Sequence, residues 1–218
     1  MSISRNSSGG PVSRPGPLPV PVGSQPGRRR SAETARAVLA AALDLLDDPG
    51  IGYRGLTMQA VAVRSGVSKA TLYRWWPDKA HLAVDAYRSK TARDIVSVVS
   101  SGDLRTDLAR YLGQLVFTLV RRDSAMAISE MTLAAAGDPS FGKLYRETVL
   151  DDRRQALLDI LVAARARGDV RADAELEVAA DAAIGAIHHR LLLTKRPIDG
   201  SFVAALADLL AGGLTPGS

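Results

Sequence analysis

Apolar residues recur at intervals of three and four along most of this chain, and Gly or Pro breaks the pattern at intervals. That punctuated helical period is the feature that most narrows the folds open to it. Val38, Ala41, Ala42 and Leu45 share one stripe, with Leu39, Leu43 and Leu46 beside it, until Asp47-Asp48-Pro49-Gly50 stops it. Leu104, Leu108, Tyr111, Leu112, Leu115 and Leu119 form another stripe. Leu176, Ala180, Ala183, Ile184, Ile187 and Leu191 mark a third, and Phe202, Leu206, Leu209 and Leu210 the last. No stretch sustains period-two alternation, so no sheet is expected. The fold class is read as all-α with about nine helices, near 31–46, 57–65, 68–74, 78–100, 104–119, 125–136, 140–167, 172–194 and 200–211. Ser31 is read as the cap of the first, with Glu33 and Thr34 in its opening turn.

Residues 1–27 contain 6 Pro, 5 Gly and 6 Ser, too little apolar surface to offset the entropy of ordering, and are read as a disordered tail. A smaller helical domain is expected over 28–77 and a larger helical domain over 78–213. The charge is unevenly spread: residues 1–100 carry 14 Lys+Arg against 7 Asp+Glu, and the remainder 14 against 16. A basic first half suits a polyanionic partner. Five Arg in residues 1–30 supply much of that excess, so charge supports the reading only weakly. The absence of cysteine excludes disulfides, Cys-based zinc sites and thiol catalysis. No apolar run nears the ~18–20 residues that span a bilayer, and Pro interrupts the apolar stretch at 17–22. A cytoplasmic protein with no membrane partner is expected.

The chemistry is concentrated in Leu56–Trp76. Thr57 is placed to cap a helix that turns Val61 and Ala62 inward. Gly66 stands where the chain bends sharply and a residue without a β-carbon is favoured. Val67 fills the angle, and Ser68 caps a second helix whose Leu72 faces the core. The outer face of that second helix then offers Lys69, Ala70, Thr71, Tyr73 and Arg74 to a major groove. Ala70 permits close approach, while Lys69 and Thr71 can reach base edges or thymine methyls. Thr57, Ser68 and Tyr73 can donate to phosphates, which sets register rather than sequence. Lys79 adds charge at the start of the next helix. Arg28, Arg29 and Arg30 are read as tracking phosphate or entering the minor groove.

The run Thr57-x3-Val61-Ala62, followed by Ser65-Gly66-Val67-Ser68-Lys69-Ala70-Thr71-Leu72-Tyr73 and Trp75-Trp76-Pro77-Asp78-Lys79, resembles the DNA-binding signature of the TetR/AcrR family of bacterial regulators. Ser65 departs from the family's usual Ala, and Trp75-Trp76 from its commoner aromatic pair. The resemblance implies a three-helix N-terminal domain, a C-terminal helical domain that binds a small molecule, and a homodimer. It implies that helices spanning 103–167 enclose a pocket, for which Leu112, Phe117, Met126, Met131, Phe141 and Tyr145 are the candidate lining residues. Dimerisation falls to the last two long helices, with Ala183, Ile184, Ile187, Leu191, Phe202 and Leu206 as candidates. The function expected is a repressor released from a double-stranded DNA operator by an unidentified small molecule. The competing reading is a small-molecule binder or enzyme with a vestigial helix-turn-helix.

Other signals are set aside. Gly50-Ile51-Gly52-Tyr53-Arg54-Gly55 matches a dinucleotide fingerprint but lacks the strand before it and the acid after it, so it is read as a loop between helices. Adjacent His188 and His189 point about 100° apart on a helix and cannot share an ion. Asp151-Asp152-Arg153-Arg154 is read as a solvated helix face. No catalytic motif, metal site or cofactor is expected.

Overall fold

The computed structural model describes residues 26–91, 100–120 and 125–216. Every regular element among them is helical: α1 (Pro26–Asp47), α2 (Gly52–Gly55), α3 (Met58–Ser65), α4 (Lys69–Trp75), α5 (Lys79–Thr91), α6 (Leu104–Val120), α7 (Ala125–Gly137), α8 (Pro139–Tyr145), α9 (Asp151–Arg167), α10 (Leu176–His188) and α11 (Gly200–Leu214). A π turn at Arg146–Leu150 carries α8 into α9, and a second at His189–Thr194 prolongs α10. These residues thus form ten continuous rods where nine were expected.

The added rod is α2, a single turn where a loop was expected. Its amides at Ile51 and Gly52 bond back to the Asp48 carbonyl, and Gly52 adopts φ 57°, a value open to a residue without a β-carbon. Helix α1 also begins earlier than expected, so Ser31 lies inside it rather than capping it. Pro26 at its start has φ preset for a helix, and the three following Arg are good helix formers. Of the tail expected over 1–27, residues 1–25 lie outside the described residues; Pro26 and Gly27 already belong to α1. The extension of α5 towards residue 100 crosses positions 92–99, also outside them.

Other ends follow local chemistry. Asp138 accepts from the Ser140 and Phe141 amides with Pro139 at the first helical position. Gly168, at φ 89°, closes α9 by donating to carbonyls of its last turn. Asp199 caps α11 through the Phe202 amide.

The apolar stripes meet in one continuous core. Helix α1 packs on α3 and α5; α6 packs against both α9 and α11; α7 packs on α8 and reaches back to α2. Leu46, Leu56, Leu72, Leu82, Leu108, Leu112, Leu157 and Ile187 are fully buried within it. Lys90 on α5 pairs with Asp47 of α1 at 2.8 Å, and Arg64 on α3 with Asp44 of α1 at 2.9 Å.

Asp107 is the buried carboxylate of α6, 1% exposed. It accepts from the Ser101 amide and hydroxyl, both at 2.7 Å, and from the Ser100 hydroxyl at 2.9 Å. Burial opposes its charge, but those hydrogen bonds and nearby Arg167 prevail, and its carboxyl sits below the ordinary value of 3.8. Asp107→Ala is therefore expected to lose about 3 kcal/mol of stability at neutral pH, by chemical denaturation. A depressed carboxyl contributes stability above its unfolded value, so the deficit relative to the parent should shrink as pH falls below 3.8.

Candidate nucleic-acid interface

The two helices of the motif are set by their caps. Thr57 Oγ1 accepts from the Ala60 amide at 3.1 Å and Ser68 Oγ from the Thr71 amide at 3.2 Å. Each cap contributes about 1 kcal/mol. Between them Gly66 takes φ 69° and ends α3. Val67 packs half-buried against the core in the bend. Ser65, in place of the family's alanine, donates to the Val61 carbonyl at 2.7 Å, which keeps its hydroxyl satisfied inside the turn.

Helix α4 buries Leu72 and turns the rest of its face outward. Ser68, Lys69, Ala70, Tyr73 and Arg74 are exposed, as is Thr57, while Thr71 is half-buried. Ser68 Oγ and Thr71 Oγ1 lie 3.0 Å apart. Arg74 rests its guanidinium 5.5 Å over the Trp75 ring. Trp76 is buried and donates from Nε1 to Asp85 at 2.9 Å, fixing α4 to α5. Residues 56–76 contain no acidic side chain, and Arg64 among them is paired to Asp44, which leaves Lys69 and Arg74 as the outward charges.

Lys79 sits differently from the expectation of a phosphate ligand. Its ammonium donates to the Tyr53 and Arg54 carbonyls at 3.2 and 3.3 Å and lies 4.8 Å over the Tyr53 ring. It closes the C-terminal end of α2, whose carbonyls lack helical partners. The side chains of Arg28, Arg29 and Arg30 lie outside the described residues.

Gly66→Val is a local test of this bend. No atom lies within 4 Å of an added β-carbon there, so the cost is the left-handed backbone itself. A loss of about 1–3 kcal/mol is expected in denaturation, with weaker DNA binding than the parent.

Helix α2 joins this unit to the rest. Tyr53 stacks on Phe141 of α8, centroids 5.1 Å apart, and the Arg54 amide donates to Glu130 of α7 at 3.1 Å. Burial, with the charges of Asp78 and Asp138, raises the Tyr53 hydroxyl to about 12.

Beyond the joint, the pocket residues read from the sequence scatter. Leu112 and Met131 are fully buried, Phe141 belongs to the stack on Tyr53, and Tyr145 bonds Thr132 at 3.1 Å. Met126 is half-buried, and Phe117 is 60% exposed. A cavity of about 300 Å³ lies elsewhere, between α6, α9 and α10, with Leu115, Leu119, Leu150, Ile184, Ile187 and His188 on its walls. None of the six expected residues lines it. Arg153 and Arg154 border it as well, contrary to the expected solvated face. Arg153 is 7% exposed, and Arg154 pairs with Asp181 at 2.9 Å and with Glu177, both on α10.

Four of the six residues expected at a dimer interface lie inside the protomer. Ala183, Ile187, Leu191 and Leu206 are buried within the protomer, and Ile184 faces the cavity. Phe202 is half-buried beneath Arg190, whose guanidinium lies 3.9 Å from its ring centroid. The outward apolar residues of this region are Val178, Leu193 and Leu209, 65%, 72% and 73% exposed. Period alone marks an apolar face without saying whether it packs inside or between chains.

A capped bihelical unit with an acid-free outer helix, mounted on a helical body that holds a cavity, defines a helix-turn-helix DNA-binding regulator. Comparison with known proteins agrees. The family description "Bacterial regulatory proteins, tetR family" matches residues 38–86, and "Tetracyclin repressor-like, C-terminal domain" matches residues 98–210. An HTH-type transcriptional regulator of Bacillus subtilis, YdeS, is 33% identical over 84% of this chain and 90% of its own. The DNA-binding transcriptional repressor TetR of Mycobacteroides abscessus is 31% identical over 84% of this chain and 92% of its own. A crystal structure of a TetR family transcription regulator is 35% identical with a TM-score of 0.69, covering 84% of this chain and all of that one. The chain belongs to the tetR family of transcription regulators.

Proposed function

We propose that this protein is a homodimeric cytoplasmic repressor, binding rather than catalysing, that leaves its operator when a small molecule occupies the cavity between α6, α9 and α10. The observation that carries the DNA half is the exposed, acid-free face of α4, held rigid by the Ser68 cap and by buried Leu72. Thr57, Ser68 and Tyr73 serve phosphates, and Lys69, Ala70, Thr71 and Arg74 meet the groove. Lys79 acts mainly by bracing α2, with one N–H left for a phosphate. Two copies reach successive major grooves ~34–36 Å apart. Val178, Leu193 and Leu209 supply the apolar surface between protomers.

Two structures of the same fold carry different ligands. FadR from Bacillus subtilis, 15% identical with a TM-score of 0.67, is in complex with stearoyl-CoA. A regulator from Saccharomonospora viridis, 20% identical with a TM-score of 0.65, is in complex with choline. Their contrast supports a fold that accepts ligands of opposite charge, so the chemistry of the cavity must be read from each chain's own residues.

The two halves communicate through α2. A ligand shifts affinity only if it binds the released state better. Helix α7 presents Glu130 to the Arg54 amide and Gly52, so a shift of α7 is carried directly to the bihelical unit. Glu130→Ala should leave DNA affinity nearly intact while weakening the ligand's effect on it, within the 1–3 kcal/mol typical of such coupling. Anisotropy titrations with and without ligand measure this.

The whole reading is tested by selecting duplexes from a random library on the full-length protein. A recovered sequence should bind at least ~10³-fold better than a scrambled duplex at physiological salt. Placed at a promoter, it should lower transcription when occupied. A selection that recovers no preferred sequence would remove the reading.

A further inference from the structure

Arg153 of α9 is a buried side chain that DNA binding does not use. It is 7% exposed, and a guanidinium cannot give up its charge in a protein. Nη2 donates to the Tyr87 hydroxyl at 2.7 Å, and the guanidinium lies 5.4 Å from that ring's centroid. Both partners are neutral. No carboxylate pairs with it among the described residues. Its neighbour Arg154 shows the contrast, being neutralised by Asp181 and Glu177 at the rim of the cavity. Buried charges are normally paired, because desolvation is otherwise uncompensated.

Arg153 borders the cavity of about 300 Å³ on one side and a smaller one of about 140 Å³ on the other, lined by Tyr87, Arg88, Thr91, Thr148, Val149 and Asp152. The apolar walls of the larger are Leu115, Leu119, Leu150, Ile184 and Ile187, and the paired Arg154 and Asp181 lie on its lining with Gly185. Its volume is at the lower end for small-molecule sites. His188 also faces it, and burial together with the charge of Arg153 holds that imidazole below its ordinary pKa, so it adds a polar atom without a second charge.

We propose that this cavity binds a small amphipathic monoanion, a carboxylate on an apolar body, with the carboxylate on the free N–H groups of Arg153 and the body among the leucines and isoleucines. Arg153, with no carboxylate partner among the described residues, matches one negative charge. The carboxylate on those walls, Asp181, is already paired with Arg154, and no Phe, Tyr or Trp ring lines them, so a cationic ligand finds no counter-charge there. The inference rests on the reading of this cavity as the ligand site, but it concerns binding alone and is measured without DNA.

Calorimetry on the full-length protein with octanoate, octanamide and octyltrimethylammonium tests it. Octanoate should bind with one molecule per chain, octanamide at least about tenfold more weakly, and the cation not detectably. Arg153→Met should bind octanoate and octanamide alike, and Arg153→Lys should restore part of the preference. The thermal midpoint of ligand-free Arg153→Met should equal or exceed the parent's, since an apolar side chain replaces an unpaired buried charge. Ile184→Trp, which fills the cavity with Arg153 in place, should also abolish octanoate binding. Equal affinity for octanoate and octanamide, a preference surviving in Arg153→Met, or no binding at millimolar concentration would each overturn the proposal. Octanoate binding through Arg153 without operator release would uphold it and remove ligand-induced release instead.

Discussion

With Lys69 and Thr71 both replaced by alanine, specific operator binding is expected to disappear while the helical fold and thermal midpoint stay near those of the parent. Each lost base contact removes ~1–3 kcal/mol, and the pair together reduces binding towards the nonspecific level. Lys69 is exposed and makes no side-chain hydrogen bond or ion pair among the described residues, so its loss falls on DNA. Thr71 is half-buried, and its hydroxyl lies 3.0 Å from Ser68 Oγ, so a small stability cost accompanies its removal. Titration over a range of salt separates the two contributions: a lysine contacting phosphate lowers the salt slope, and a base contact alters sequence preference. Unchanged affinity and footprint in the double variant would exclude α4 as the reading helix.

Leu72→Ala is expected to cost about 2–5 kcal/mol and to release α4 from the core without altering any residue that faces DNA. Leu72 is fully buried and is the side chain that seats this seven-residue helix. Isolated helices of that length are unstable in water, so α4 depends on its packing and caps. Denaturation should show the loss, and operator binding should weaken in parallel although Lys69, Thr71 and Arg74 are intact. A variant of parental stability with normal binding would show that the Thr57 and Ser68 caps suffice alone.

The bihelical unit was legible because its determinants are local. A cap, an apolar residue at helical spacing, a glycine at the bend and a second cap lie within Thr57–Leu72, and each acts on neighbours a few residues away. The coordinates place Gly66 in the left-handed region and the Lys69–Arg74 face outward, as that spacing implies. The backbone partners of Lys79 were not legible, because the carbonyls of residues 53 and 54 belong to a helical turn that the dinucleotide-like glycines disguise as a loop. Phe117 and Leu112 read alike as apolar residues on one helix, yet one is exposed and the other fully buried. The stripe on α10 was apolar enough to serve a partner, but α9 and α11 of the same chain take much of it.

The sequence by itself determined the all-helical class, the bihelical unit and the family, since helical period, caps and bends are short-range physics written in adjacent residues. Only the tertiary structure decided where the cavity lies, which apolar faces remain outward and that Arg153 is buried. Asp151-Asp152-Arg153-Arg154 has equal charges of each sign and looks solvated along the chain. Burial, however, depends on elements far apart in sequence: Tyr87 of α5 takes one arginine, and Glu177 and Asp181 of α10 take the next. No window along the chain contains those partners together, so a buried Arg153 without a carboxylate partner among the described residues emerges only when the helices pack.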